Sequence, residues 1–117
     1  MLSRLLLAVA LVLSACGTIR STIGIGPGEQ FVLGGGQEGA FRVELLNTGP
    51  VPVVVAERSA SGVTVPRDTL APGDAVRASF AAGSAALLIN ASDREAEVRG
   101  VVRGDTDLGM RYAPVGG

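Results

Sequence analysis

Ala40-Phe41-Arg42-Val43-Glu44-Leu45-Leu46 is the stretch on which the fold turns. In an extended chain Phe41, Val43 and Leu45 fall on one side, with Arg42 and Glu44 on the other. That period-two alternation marks a strand with one dry face and one wet face. Asn47-Thr48-Gly49-Pro50, a run of turn formers, ends it. The pattern recurs downstream. Residues 75–80 set Val76, Ala78 and Phe80 against Arg77 and Ser79. Residues 95–103 set Ala96, Val98 and Val102 against Glu97, Arg99 and Arg103.

The segments between read as further strands and turns. Residues 30–33 form a brief strand before the flexible hairpin loop of Gly34-Gly35-Gly36-Gln37-Glu38-Gly39. Residues 51–57 are nearly all apolar, which predicts burial on both faces or an oligomer contact. Pro52 has no N–H for a ladder, so it belongs at that strand's start or at an edge. Residues 63–65 predict a short strand stopped by Pro66, and Ala71-Pro72-Gly73-Asp74 suits a type II turn. Residues 85–90 are apolar, and residues 108–113 put Leu108, Met110 and Tyr112 on one face. The alanines of residues 74–88 could support a helix, but Gly83 and the alternation before it favour strands. The sum is seven to nine short strands at the spacing of an all-β fold. We expect a single small antiparallel β-sandwich over residues 29–114, Ig-like or cupredoxin-like without metal.

Composition narrows the chemistry. The 117 residues include one cysteine and no histidine, and all ten basic residues are arginine. Without histidine there is no Ser-His-Asp triad, no histidine zinc site and no blue-copper site. Without lysine there is no Walker A loop, and no lysine to activate a serine. Asp105 and Asp107 flank Thr106 in an oxygen-rich loop of the kind calcium favours. Calcium needs six or more oxygens and no further acid clusters there, so turn formation is the stronger reading of both. Asp93-Arg94-Glu95-Ala96-Glu97 could supply an acid/base pair, and reads better as the charged end of a strand guarding a sheet edge. Arg77, Arg99, Arg103 and Arg111 lie on polar faces of late strands. They read as ordinary surface arginines paired with Glu95, Glu97 and Asp107, unless strand order aligns them into a small basic patch for anionic lipid headgroups or lipopolysaccharide. No cofactor is expected.

The N-terminus has its own grammar. Arg4 precedes an apolar run, Leu5-Leu6-Leu7-Ala8-Val9-Ala10-Leu11-Val12-Leu13, that stops at Ser14-Ala15-Cys16-Gly17. The run has the length of a secretory h-region and is too short for the roughly 20 apolar residues of a spanning helix. Leu13-Ser14-Ala15-Cys16 resembles the lipobox that ends a bacterial lipoprotein signal peptide. The resemblance implies a signal helix over residues 1–15, removed before Cys16, and diacylglyceryl and palmitate groups on Cys16. The membrane lipid reached through Cys16 would then be the first partner. Because Gly17 is not aspartate, the resemblance also implies a cell-envelope location, at the outer membrane facing the periplasm in a Gram-negative cell. Residues 29–117 resemble uncharacterised small β-sandwich lipoproteins, without a motif specific to one family.

Cleavage would leave 102 residues, with nine arginines against eleven carboxylates. That balance argues against nucleic acid, whose phosphates call for clustered basic charge. With Cys16 acylated no thiol remains, so the core alone holds the domain. Residues 16–28, small, polar and glycine-rich, predict a lipidated flexible tether, with a short strand at residues 19–25 as the competing reading. The expected function is a non-enzymatic envelope lipoprotein that binds an envelope protein or helps to organise an assembly. The alternative is a module holding an apolar or sugar-like molecule between its sheets. A hydrolase is the least supported reading.

Overall fold

The computed structural model describes residues 17–116. The expected signal peptide and lipidation site, residues 1–16, therefore lie outside the described residues. Nine strands follow one another: β1 (Thr18–Ile25), β2 (Glu29–Gly34), β3 (Phe41–Asn47), β4 (Val53–Arg58), β5 (Thr64–Leu70), β6 (Ala75–Phe80), β7 (Ala85–Ile89), β8 (Ala96–Gly104) and β9 (Met110–Pro114). They form two antiparallel sheets, ordered β1-β8-β3-β6 and β5-β4-β7-β2-β9. The all-β antiparallel sandwich predicted from the alternation is what forms, at the upper end of the predicted strand count. Its winding replaces the Ig-like or cupredoxin-like ordering: sequential strands alternate between sheets over most of the chain, as in a jelly roll. The glycine loop after β2 consequently crosses from one sheet to the other and does not close a hairpin. No helix among the described residues is long and apolar enough to cross a membrane.

Alternation decides which side each strand of the four-stranded sheet turns inward. Phe41, Val43 and Leu45 of β3 are buried with Val98 and Val102 of β8, Phe80 of β6, and Ile23 and Ile25 of β1. From the other sheet Phe31, Leu33, Val53, Val55, Leu70 and Leu88 meet them. Phe41 and Phe80, paired across β3 and β6, stack with ring centroids 5.2 Å apart. The interior is filled, the void between the sheets near Ile23, Phe31 and Val43 amounting to about 10 Å³. In the five-stranded sheet the apolar strands are buried on both faces, as residues 51–57 predicted for β4: Val55 is buried on one side and Ala56 on the other. Leu87 and Leu88 of β7 show the same pattern. At Ala71-Pro72-Gly73-Asp74 the predicted turn closes, with Gly73 at φ 88° and the Asp74 N–H donating to the Ala71 carbonyl at 2.9 Å.

Three expectations are corrected. The flexible tether expected over residues 16–28 is largely a strand: β1 pairs with β8 from Thr18↔Arg103 to Ile25↔Ala96. Its Ile19, Ile23 and Ile25 face the core, and that burial outweighs a glycine-rich composition. Pro66 does not stop a strand. β5 runs through it as a sheet edge, where a missing N–H is tolerated. The register shifts there, Val55 opposing Asp68 and Ala56 opposing Pro66, so Arg67 is the extra residue of a β-bulge. Its guanidinium reaches Glu57 at 2.8 Å, the Ser79 carbonyl of β6 at 3.2 Å and the face of Phe80, joining the two sheets at this edge. The charges around residues 93–97 guard no edge, because β8 is paired on both sides. On β9, Met110 and Tyr112 are about half exposed, Tyr112 meeting Phe31 edge to face.

Candidate functional site

Strand register builds the most distinctive surface of the molecule on the outer face of the four-stranded sheet. Residues that point away from the core line up in rows across it. One row runs Thr18, Arg103, Arg42, Ser79, and the next runs Arg20, Val101, Glu44, Arg77. A third runs Thr22, Arg99, Leu46, Ala75. Five of the ten arginines thus share one face, drawn from four strands that are distant in sequence.

Two carboxylates share the face: Glu97, one row beyond Arg99 on β8, and Glu44, which sits among the arginines. Glu44 Oε2 accepts from Arg103 at 2.8 Å and lies 3.8 Å from Arg77, whose side chain is 85% exposed. Among the described residues Arg20, Arg42 and Arg99 form no ion pair. Ion pairs this exposed contribute about 0–1 kcal/mol, so Glu44 organises the face more than it stabilises the fold. Between the arginines an open groove of about 700 Å³ exposes parts of Leu46, Val76 and Val101 beside Arg20, Arg77 and Arg99. Planar guanidinium forks on a shallow, partly apolar floor suit phosphate or carboxylate groups, which arginine can hold through two parallel hydrogen bonds.

The sequence candidates divide accordingly. Arg77, Arg99 and Arg103 come together as the patch reading required, while Arg111 lies on β9 of the other sheet. Arg20 and Arg42 join the patch unforeseen; the only signal was the placement of Arg42 and Glu44 on one side of β3. The partners expected for the arginines, Glu95, Glu97 and Asp107, are not the ones used. Glu97 instead accepts from the Thr48 hydroxyl at 2.8 Å.

Asp105 and Asp107 behave as turn residues. Asp105 accepts from the Gly39 N–H at 2.9 Å through one oxygen and from the Asp107 N–H at 2.9 Å through the other. Among the described residues no three of His, Cys, Asp and Glu gather as metal ligands. The alternative of an apolar or sugar-like molecule held between the sheets is also corrected. The roughly 10 Å³ there is far below the roughly 300 Å³ at which small-molecule sites begin.

No protein-family model matches the chain, and no curated protein matches it. Among solved structures the chain is similar to an oxalate oxidase, at 11% identity and a TM-score of 0.53. That match covers 80% of this chain and 45% of the oxidase, so the chain spans under half the length of that protein. A sugar phosphate isomerase of the cupin superfamily from Silicibacter pomeroyi matches at 18% identity and a TM-score of 0.47, over 95% of this chain and 74% of the isomerase. Both are enzymes by name. At 11% identity the oxidase likeness is one of fold, and fold does not carry activity with it.

Proposed function

We propose that this chain is a membrane-anchored envelope lipoprotein whose β-sandwich serves as a non-catalytic binding or structural module. One observation carries the reading: the sole cysteine, Cys16, closes Leu13-Ser14-Ala15-Cys16 behind an apolar run too short to span a bilayer. Two or more acyl chains on one residue suffice for stable attachment, each buried CH₂ adding about 0.8 kcal/mol. The module is read as non-catalytic because the sequence has no histidine or lysine, its one cysteine is taken by the anchor, and its carboxylates gather into no metal-ligating group among the described residues. The arginine face gives such a module a surface for anionic groups. In a Gram-negative cell the same signal would send it to the outer membrane, facing the periplasm.

The test is the mass of the purified mature protein together with incorporation of labelled palmitate. The expected product begins at Cys16, carries diacylglyceryl and acyl mass, and takes up label, whereas Cys16→Ala takes up none. A mature chain with an unmodified Cys16 would overturn the reading.

A further inference from the structure

The start of β1 limits how the domain can sit. Only Gly17 lies between Cys16 and Thr18, so the acylated residue and the edge of the sheet are at most about 7 Å apart. A domain held that closely must rest some part of itself on the bilayer, and two surfaces meet near Thr18. One is the end of the sandwich, where the loops after β2 and β8 bring Glu38, Asp105 and Asp107 around a shared hollow. The other is the outer face of the four-stranded sheet, whose first row begins at Thr18 and continues through Arg103 and Arg42. Anionic headgroups repel the first and attract the second.

We propose that the arginine face of the four-stranded sheet lies on the anionic phospholipid headgroups of the membrane that holds Cys16. The inference rests on the lipid anchor of the proposed function. Charge distribution drives the contact, since the mature chain as a whole is slightly acidic. Glu44 is already engaged by Arg103 and Arg77, which leaves Arg20, Arg42 and Arg99 to meet phosphate oxygens. Their planar forks match a phosphate better than a point charge does.

The lipidated protein, reconstituted in vesicles, allows a direct test because Cys16 is thioether-linked and an introduced cysteine is then the sole free thiol. A fluorophore is placed at Thr22→Cys on the arginine face or at Thr69→Cys on the exposed edge strand of the other sheet, with a headgroup quencher in the bilayer. In phosphatidylglycerol–phosphatidylethanolamine vesicles the Thr22→Cys probe should be quenched several-fold more than the Thr69→Cys probe. That difference should vanish in phosphatidylcholine, in the Arg42→Glu/Arg99→Glu variant, and at 1 M salt, where screening acts within about 3 Å. Equal quenching of both probes on vesicle-bound protein overturns this proposal and leaves the anchor standing. Protein that carries no acyl mass and leaves the vesicles overturns the anchor itself.

Discussion

The two ends of the sandwich do the same work by different chemistry. At one end β1, β3, β5 and β7 finish, and two buried asparagines close it. Asn90 Nδ2 donates to the carbonyls of Ile25, Gly26 and Arg94 at 2.7–3.1 Å, while its Oδ1 accepts from the Ser92 N–H and hydroxyl. Asn47 Nδ2 donates to the carbonyls of Val51 and Leu70, both at 2.8 Å, and its Oδ1 accepts from the Gly49 N–H. Each asparagine thereby ties a strand of one sheet to the finish of a strand in the other. At the opposite end the loops are glycine-rich, and Gly34, Gly35, Gly36, Gly62, Gly83 and Gly104 all take positive φ. There the linking side chains, Gln37 and Asp105, are more exposed and grip backbone from outside the core. One end is locked by satisfied polar groups in a dry setting, where a lost partner costs most. The other leans more heavily on backbone conformations that only glycine adopts cheaply, with six positive-φ glycines in its loops against Gly28 and Gly73 in the loops of the asparagine end.

Substitutions can break that contrast. Asn90→Ala leaves the buried Ile25 carbonyl and the part-buried Gly26 and Arg94 carbonyls without their donor and should cost about 2–3 kcal/mol in urea denaturation; a loss no larger than that of Gln37→Ala would erase the distinction between the ends. Gly104→Ala follows at about 2 kcal/mol, because φ is 99° and the new Cβ would stand 2.8 Å from the Ala40 carbonyl oxygen. A neutral result by thermal unfolding would mean the glycine end yields freely. Gln37→Ala should be the mildest, under about 1 kcal/mol, since water replaces an exposed partner readily. Its expected mark is faster hydrogen exchange at the Gly35 N–H with the global midpoint almost unchanged.

Legibility in the sequence followed the same physics. β3, β6 and β8 could be read because each has one wet face, so charged and apolar residues alternate. β4 and β7 betrayed burial on both faces but no facing, since neighbours such as Leu87 and Leu88 look alike in sequence. β1 stood only as the competing reading at residues 19–25, because its partner, β8, lies more than seventy residues away and its own residues are small and polar between isoleucines. β5 was cut short because Pro66 is a breaker only where its N–H is needed. The arginine face required the order β1-β8-β3-β6, which periodicity within single strands does not contain. Asn47 looked like a turn residue, and Asn90 like the polar end of an apolar run. Their role depends on burial that only the assembled sheets create.

The pairing of β1 with β8 also decides how the domain bears mechanical load. A pull applied from the N-terminal side enters the fold at Thr18, the first rung of a ladder that continues without a break to Ile25. Directed along the strand, that pull shears the rungs together instead of peeling them one by one. β1 is therefore a brace, spreading a load that enters at its start over the whole ladder to β8 at once.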